Sequence, residues 1–195
     1  MSLTIKPGSH VLYMKVGNHA SEPLDVILER KLKEIADEGI AFWGYGGSTC
    51  HPTTVVQPFA KSFEAEGGGA IYLCMEPMES KHFAPPVRAE DFSIDGFSWQ
   101  PIPAGIHVTG SRYAVVIKSL RKENFELLLA QTRVAIGNSK GTVGSKYIRG
   151  RVDKACLEIT NSPARNGSNE ICARPIGLVA EIVKPYAVFV RNVAK

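Results

Sequence analysis

"HVLYMKVGNHASEPLDVILERKLKEIADEGIAFWGY", His10–Tyr45, is the stretch whose reading decides the fold. Its first seven residues, His10–Val16, alternate well enough for a half-buried strand. "GNHASEP" then turns the chain. Ser21 stands where a helix N-cap belongs, and Pro23 suits the first turn. Leu24, Ile27, Leu28, Leu32 and Ile35 recur at spacings of three and four. That stripe predicts a helix from Leu24 to about Glu38, buried along those side chains. Gly39 supplies a left-handed C-cap. "GIAFWGY" follows as a second strand.

Working outward, "PFAKSFEAE" (58–66) reads as a short helix opened by Pro58, and "AIYLCME" (70–76) as a strand after a three-glycine turn. The order β-α-β-α-β favours helices packed on a sheet. The next segment, 76–105, is different in kind. It is rich in proline and acid yet carries Phe83, Phe92, Phe97 and Trp99. Disordered linkers are poor in aromatics, so an irregular excursion that packs on the core through its rings is expected. Beyond it, "SRYAVVIKSL", "TRVAIG" and "YIRGRVDKACLEI" read as strands, the last with Gly150 as a bulge. The stretch 122–131 is ambiguous, because its residue types favour helix while a hairpin at "RKEN" also fits. "GLVAEIVKPYAVFVRNV" reads as two strand segments split by Lys184-Pro185. The expectation is one domain over 1–195, α+β, with a mixed, largely antiparallel sheet, two or three helices and the excursion 76–105.

The composition, 44% hydrophobic and 22% charged, is that of an ordinary globular chain. No apolar run approaches the roughly 18 residues of a membrane helix, and no secretory signal pattern opens the chain. Four scattered cysteines without a Cys-x-x-Cys pair suggest reduced thiols and a cytoplasmic setting, with no metal site indicated. No cofactor is indicated either. The charge is uneven. Residues 112–154 hold ten basic and three acidic side chains, a net +7, whereas 62–111 hold two basic and seven acidic. A clustered basic surface concentrates anions.

Three places carry candidate chemistry. "WGYGGSTCHP" (Trp43–Pro52) has glycines that let backbone N–H groups converge on an anion. Trp43 and Tyr45 would stack a ligand, and Ser48 and Thr49 would add hydroxyls. Pro52 and Pro58 disfavour helix at His51 and Gln57, which removes the helix N-terminus a phosphate loop normally feeds. Cys50 is a nucleophile candidate, but adjacent strand residues face opposite ways, so His51 is not its natural base. Second, Glu76, Glu79 and Lys81 resemble the acid–lysine layout of a metal-dependent nuclease. Third, Lys140, Lys146, Tyr147, Arg149 and Arg151 lie in a basic, Gly-rich stretch that reads as a hairpin able to track a phosphate backbone.

The leading expectation is a cytosolic binding protein for a phosphate-bearing ligand, nucleic acid first and a free nucleotide second. The alternatives are an enzyme, hydrolase or transferase, with its site at the turn 44–50, and a protein-interaction module using 76–105.

Overall fold

The computed structural model describes residues 5–79, 83–149, 152–161 and 172–193. Strand β1 is His10–Val16, helix α1 is Leu24–Glu38 and strand β2 is Ala41–Tyr45. A π-helical turn, Pro52–Val56, runs directly into α2, Gln57–Ala65, and β3 is Ile71–Pro77. A small hairpin of β4 (Asp91–Ser93) and β5 (Trp99–Pro101) precedes the long strand β6, Tyr113–Leu128. A 3-10 turn leads to β7, Thr132–Val134, and then come α3 (Gly144–Tyr147), β8 (Lys154–Ile159) and β9 (Ala173–Arg191).

The strands form one mixed sheet, ordered β2-β6-β9-β3-β1-β8-β7, with the β4–β5 hairpin added to the far end of β9. β1 and β3 are parallel, and every other strand pair among the described residues is antiparallel. The fold is therefore α+β. The sheet order places three strands between β1 and β2. Even so, Leu12 and Met14 of β1 share one buried core with Trp43 and Tyr45 of β2. The sheet is coiled enough for its inner faces to meet, which register shifts along β6 assist. Alternate residues face the other way. Val11 and Tyr13 join a second core with Leu157, and Phe42 and Val116 join a third with Ile106.

Several expectations need correction. Ser21 is not the N-cap of α1. Pro23 takes that position, Ser21 has φ 66°, and the Leu24 N–H donates to Asn18 Oδ1 at 3.3 Å. The buried face of α1 is turned from the apolar stripe. Leu32 is 48% exposed, while Lys31 and Glu34 are 3% exposed. The helix also continues across Pro58. Gln57 is αR, because the π-turn delivers the chain already helical, and Pro58 lacks only an N–H that a first-turn residue does not need.

The segment 122–131 is mostly strand. Phe125–Leu128 pair with β9, and burial of Leu127 outweighs local helix preference. The expected strand 147–159 begins only at Lys154. Residues 144–147 are helical instead, docked so closely that a Cβ on Gly144 would collide with Thr132 Oγ1, and Ile148 is buried just beyond. β7 and β8 do pair antiparallel, so the basic stretch is the connection of a hairpin, but its described part is a turn and a short helix instead of paired strand, and Gly150 lies outside the described residues. At the C-terminal end one strand replaces two. Between Val115↔Ala187 and Ile117↔Ile182 a single β6 residue faces four of β9, a bulge that takes Pro185 out of the ladder. Within 76–105 the β4–β5 hairpin is regular. Phe92 packs edge-on against Phe42, but Phe83 and Phe97 are 75% and 88% exposed.

Candidate functional site

A cavity of about 470 Å³ opens at the end of the coiled sheet, within the roughly 300–1,000 Å³ usual for small-ligand sites. β1 supplies Met14 and Val16, and β2 supplies Trp43 and Tyr45 with the glycines after them. Ile27, Arg30 and Lys31 come from α1, Val108–Ser111 from the segment before β6, and Lys154 from the start of β8. Alternation explains why Trp43 and Tyr45 enter together while Phe42 does not.

The wall formed by His107–Ser111 is held by a buried ion pair. Lys31 Nζ donates to both Glu34 carboxylate oxygens, at 3.0 and 2.8 Å, and also to the His107 carbonyl. Glu34 Oε1 accepts the His107 N–H at 3.1 Å. One pair thus clamps both backbone polar groups of His107. Burial pushes the Lys31 ammonium down to about 8, opposed by Glu34, and burial raises Glu34. Beside it Arg30 makes a forked pair with Glu22, and that hydrogen bond lowers the Glu22 carboxyl. The same wall closes on β2, since a Cβ on Gly44 would strike Ser111 Oγ and lie 3.0 Å from Val108 Cγ1.

His19 Nε2 lies 3.2 Å from the Thr109 carbonyl and 3.3 Å from Ser111 Oγ. A carbonyl only accepts, so Nε2 carries the proton, and Ser111 donates its own hydrogen to the Thr109 carbonyl at 3.2 Å. This is a positioning network, since His19 offers Ser111 no free lone pair at Nε2.

At the other end, the turn after β2 crosses to β8. A Cβ on Gly47 would sit 3.2 Å from Lys154 Nζ. Lys154 is 6% exposed, and its ammonium lies 2.8 Å from the half-exposed Asp153 carboxylate. Gly47 and Cys50 both have positive φ, 88° and 57°. Among the described residues, no backbone N–H from Gly46 to Cys50 donates to a protein acceptor. Successive free N–H groups in a bend of this kind form a concavity suited to an anion.

The sequence-predicted residues divide sharply. Trp43 and Tyr45 line the cavity, and Tyr45 is fixed by donating its hydroxyl to the Cys50 carbonyl at 2.6 Å. Ser48 is exposed and Thr49 half-buried on the turn, outside the cavity lining. Cys50 is buried in the same core as Cys156 and is not part of the cavity lining. The His51 ring packs edge-on against Tyr113 and Phe189. Glu76 faces the second core, where it accepts from the Tyr13 hydroxyl and lies 3.9 Å from Arg174. Glu79 is exposed past the end of β3, and Lys81 lies outside the described residues.

Lys140, Lys146 and Arg149 are exposed away from the cavity, and Arg149 Nε donates to the Ser145 carbonyl at 3.0 Å. Tyr147 is half-buried near Cys50 and Cys156, and burial raises its hydroxyl. Arg151 lies outside the described residues. Among the described residues of the basic block, Lys154 is the cation that reaches the turn. The sequence reading missed Arg30, Lys31, Glu34 and Ser111. Their signal was faint: a charged pair on the flank of an amphipathic helix, and polar residues flanking a glycine before a strand.

No family model, curated protein or solved structure matches this chain. No helix among the described residues is long and apolar enough to cross a membrane.

Proposed function

We propose that the protein binds a phosphate-bearing ligand of nucleotide size in this cavity, either free or as one unit of a nucleic-acid strand. The observation that carries the reading is the bend Gly46–Cys50. Its N–H groups lack protein acceptors, and it lies against the buried Lys154 ammonium at the rim of a cavity lined by Trp43 and Tyr45. A phosphate there takes the place of Asp153 on the ammonium and accepts from the bend. The aromatic rings then face the remainder of the ligand. The π-turn and α2 follow the bend, so the direction of the chain past His51 favours negative charge as well. Free nucleotide now ranks beside nucleic acid, because the basic residues of 140–149 lie apart from the cavity.

The test is fluorescence titration in a Trp99→Phe background, which leaves Trp43 as the reporter. Mononucleotides and short single-stranded oligonucleotides are titrated at low salt. Quenching by a mononucleotide that also displaces the oligonucleotide supports a cavity site for both sources. Quenching by mononucleotide without oligonucleotide binding assigns the free ligand. Oligonucleotide binding that is lost in Lys140→Glu/Lys146→Glu, with no mononucleotide effect, moves the site to the surface and rejects the cavity. No response from any ligand at low salt rejects the phosphate reading altogether.

A further inference from the structure

The anion end of the cavity already holds a negative charge of its own. Lys154 opens β8, and Asp153 Oδ1 lies 2.8 Å from its ammonium. The Asp153 side chain is 50% exposed, and both residues line the cavity together with Gly46 and Gly47. A Cβ on Gly47 would stand 3.2 Å from the same ammonium. The carboxylate, the ammonium and the bend therefore meet at one place, and solvent reaches the carboxylate.

Asp153 is fixed by its backbone and free to turn at its side chain. Its carbonyl accepts the Lys15 N–H at 2.9 Å. Among the described residues, its carboxylate has Lys154 as its one partner. Turning that carboxylate out to water breaks one ion pair and leaves β1 and β8 joined. Lys15 also lines the cavity and makes no ion pair among the described residues. This end thus carries two ammonium groups and one carboxylate.

We infer that Asp153 is the specificity-determining residue of the cavity and selects a phosphate monoester over a phosphodiester. The inference rests on the phosphate reading above and narrows it to a free nucleotide or the phosphorylated end of a strand. A ligand reaches the Lys154 ammonium by displacing the Asp153 carboxylate. A diester exchanges one negative charge for another, and the displaced carboxylate at the rim then repels it. A monoester brings a charge of about −1.5 to −2 at pH 7 and three terminal oxygens. One oxygen takes the ammonium. The others meet the N–H groups of Gly46–Cys50, which have no protein acceptor among the described residues. The surplus charge is what gains over the carboxylate that leaves. Carboxylate ligands and chloride fail for the same reason as a diester. A resident like charge discriminates by penalising the wrong partner.

The experiment is isothermal titration calorimetry at low salt on the full chain and on Asp153→Asn. The probes are nucleoside 5′-monophosphates of the common bases and their phosphate methyl esters, which keep base and sugar and remove one charge. The unaltered protein should bind the monophosphate tighter than its methyl ester by at least about tenfold. Asp153→Asn should strengthen methyl ester binding and shrink that gap to about threefold or less. Equal affinity for the two in the unaltered protein overturns the inference and leaves the phosphate reading standing. A gap that persists in folded Asp153→Asn overturns it as well. Absence of binding by either probe to either protein rejects the phosphate reading and this inference with it. The comparison within the unaltered chain stands whether or not the variant folds. A 5′-phosphorylated oligonucleotide that binds where its unphosphorylated counterpart does not assigns the strand end as a source. Binding of the mononucleotide alone assigns the free ligand, and equal binding of both oligonucleotides counts against the inference.

Discussion

Replacing Glu34 by Gln removes one charge and almost no volume. The amide oxygen still accepts the His107 N–H, but Lys31 then keeps a buried ammonium with no counter-charge. Both side chains are 3% exposed, so solvent does little to relieve the loss. Breaking one member of a buried pair costs about 3–5 kcal/mol, out of a total of about 5–15 kcal/mol for a domain. For a chain of this size that is roughly 6–20 °C in melting temperature, at about 2–4 °C per kcal/mol. The cost depends on pH in a defined direction.

Lys31 in the fold holds its proton less tightly, at about 8 against 10.5. Between those values the unfolded chain binds more protons, so the Lys31 contribution makes stability rise with pH, by up to about 3 kcal/mol. Glu34 is raised, so just above the ordinary carboxylate range the folded chain binds more protons, and its contribution falls as pH rises there. In Glu34→Gln the lysine discharges more easily still. The penalty at pH 7 must therefore shrink by pH 9.5. Urea unfolding at both pH values measures it. A cost below about 1 kcal/mol at pH 7, or an equal cost at the two pH values, would refute the reasoning.

Lys31→Met with Glu34→Gln should cost less than the sum of the two single changes by at least about 1 kcal/mol in a double-mutant cycle. Gly47→Val forces a left-handed backbone position and presses on Lys154 Nζ; mononucleotide affinity should fall about tenfold or more, by about 1.4 kcal/mol, with small change in melting. Gln57 donates to the Ile94 and Ala187 carbonyls at 2.8 and 2.9 Å. Gln57→Leu should therefore lose about 2–4 kcal/mol in urea unfolding, because two carbonyls are left without a donor. Asp95 accepts from the Phe97 and Ser98 N–H groups, each at 2.7 Å, and these bonds hold its carboxyl below the usual range. Asp95→Ala should speed hydrogen exchange at both amides. In the unaltered protein that exchange should quicken only at strongly acid pH, beyond what the intrinsic rate explains.

The element boundaries over residues 10–45 were read nearly to the residue, because α1 and its flanking strands agree in length and in the Gly39 C-cap, although Ser21 is not the N-cap. What the sequence did not disclose was rotation and register. Leu32 and Lys31 are neighbours on one helix, and only the segment His107–Ser111, which begins 76 residues after Lys31, decides that Lys31 goes inside. The same holds for Pro58, whose helix-breaking preference is overridden by a π-turn that local rules do not foresee. Of the site, Trp43 and Tyr45 were legible as aromatics in a glycine-rich turn. The basic block was legible as charge, but its shape was not. Gly144 docks against Thr132 and makes part of the β7–β8 connection helical, and Lys140, Lys146 and Arg149 stand away from the cavity while Lys154 lies at the turn.

β9 follows all of its partners in the chain, yet it hydrogen-bonds to β3, β4 and β6. During synthesis those strands emerge with open edges and wait for it. β6, with its run of buried residues Tyr113–Ile117, is the most exposed to wrong pairing in that interval. Nascent chains halted before Ala173 should therefore require a holding chaperone, and a few further residues of β9 should not release them. Release should come only when the strand is long enough to reach Arg191 and join the three neighbours at once.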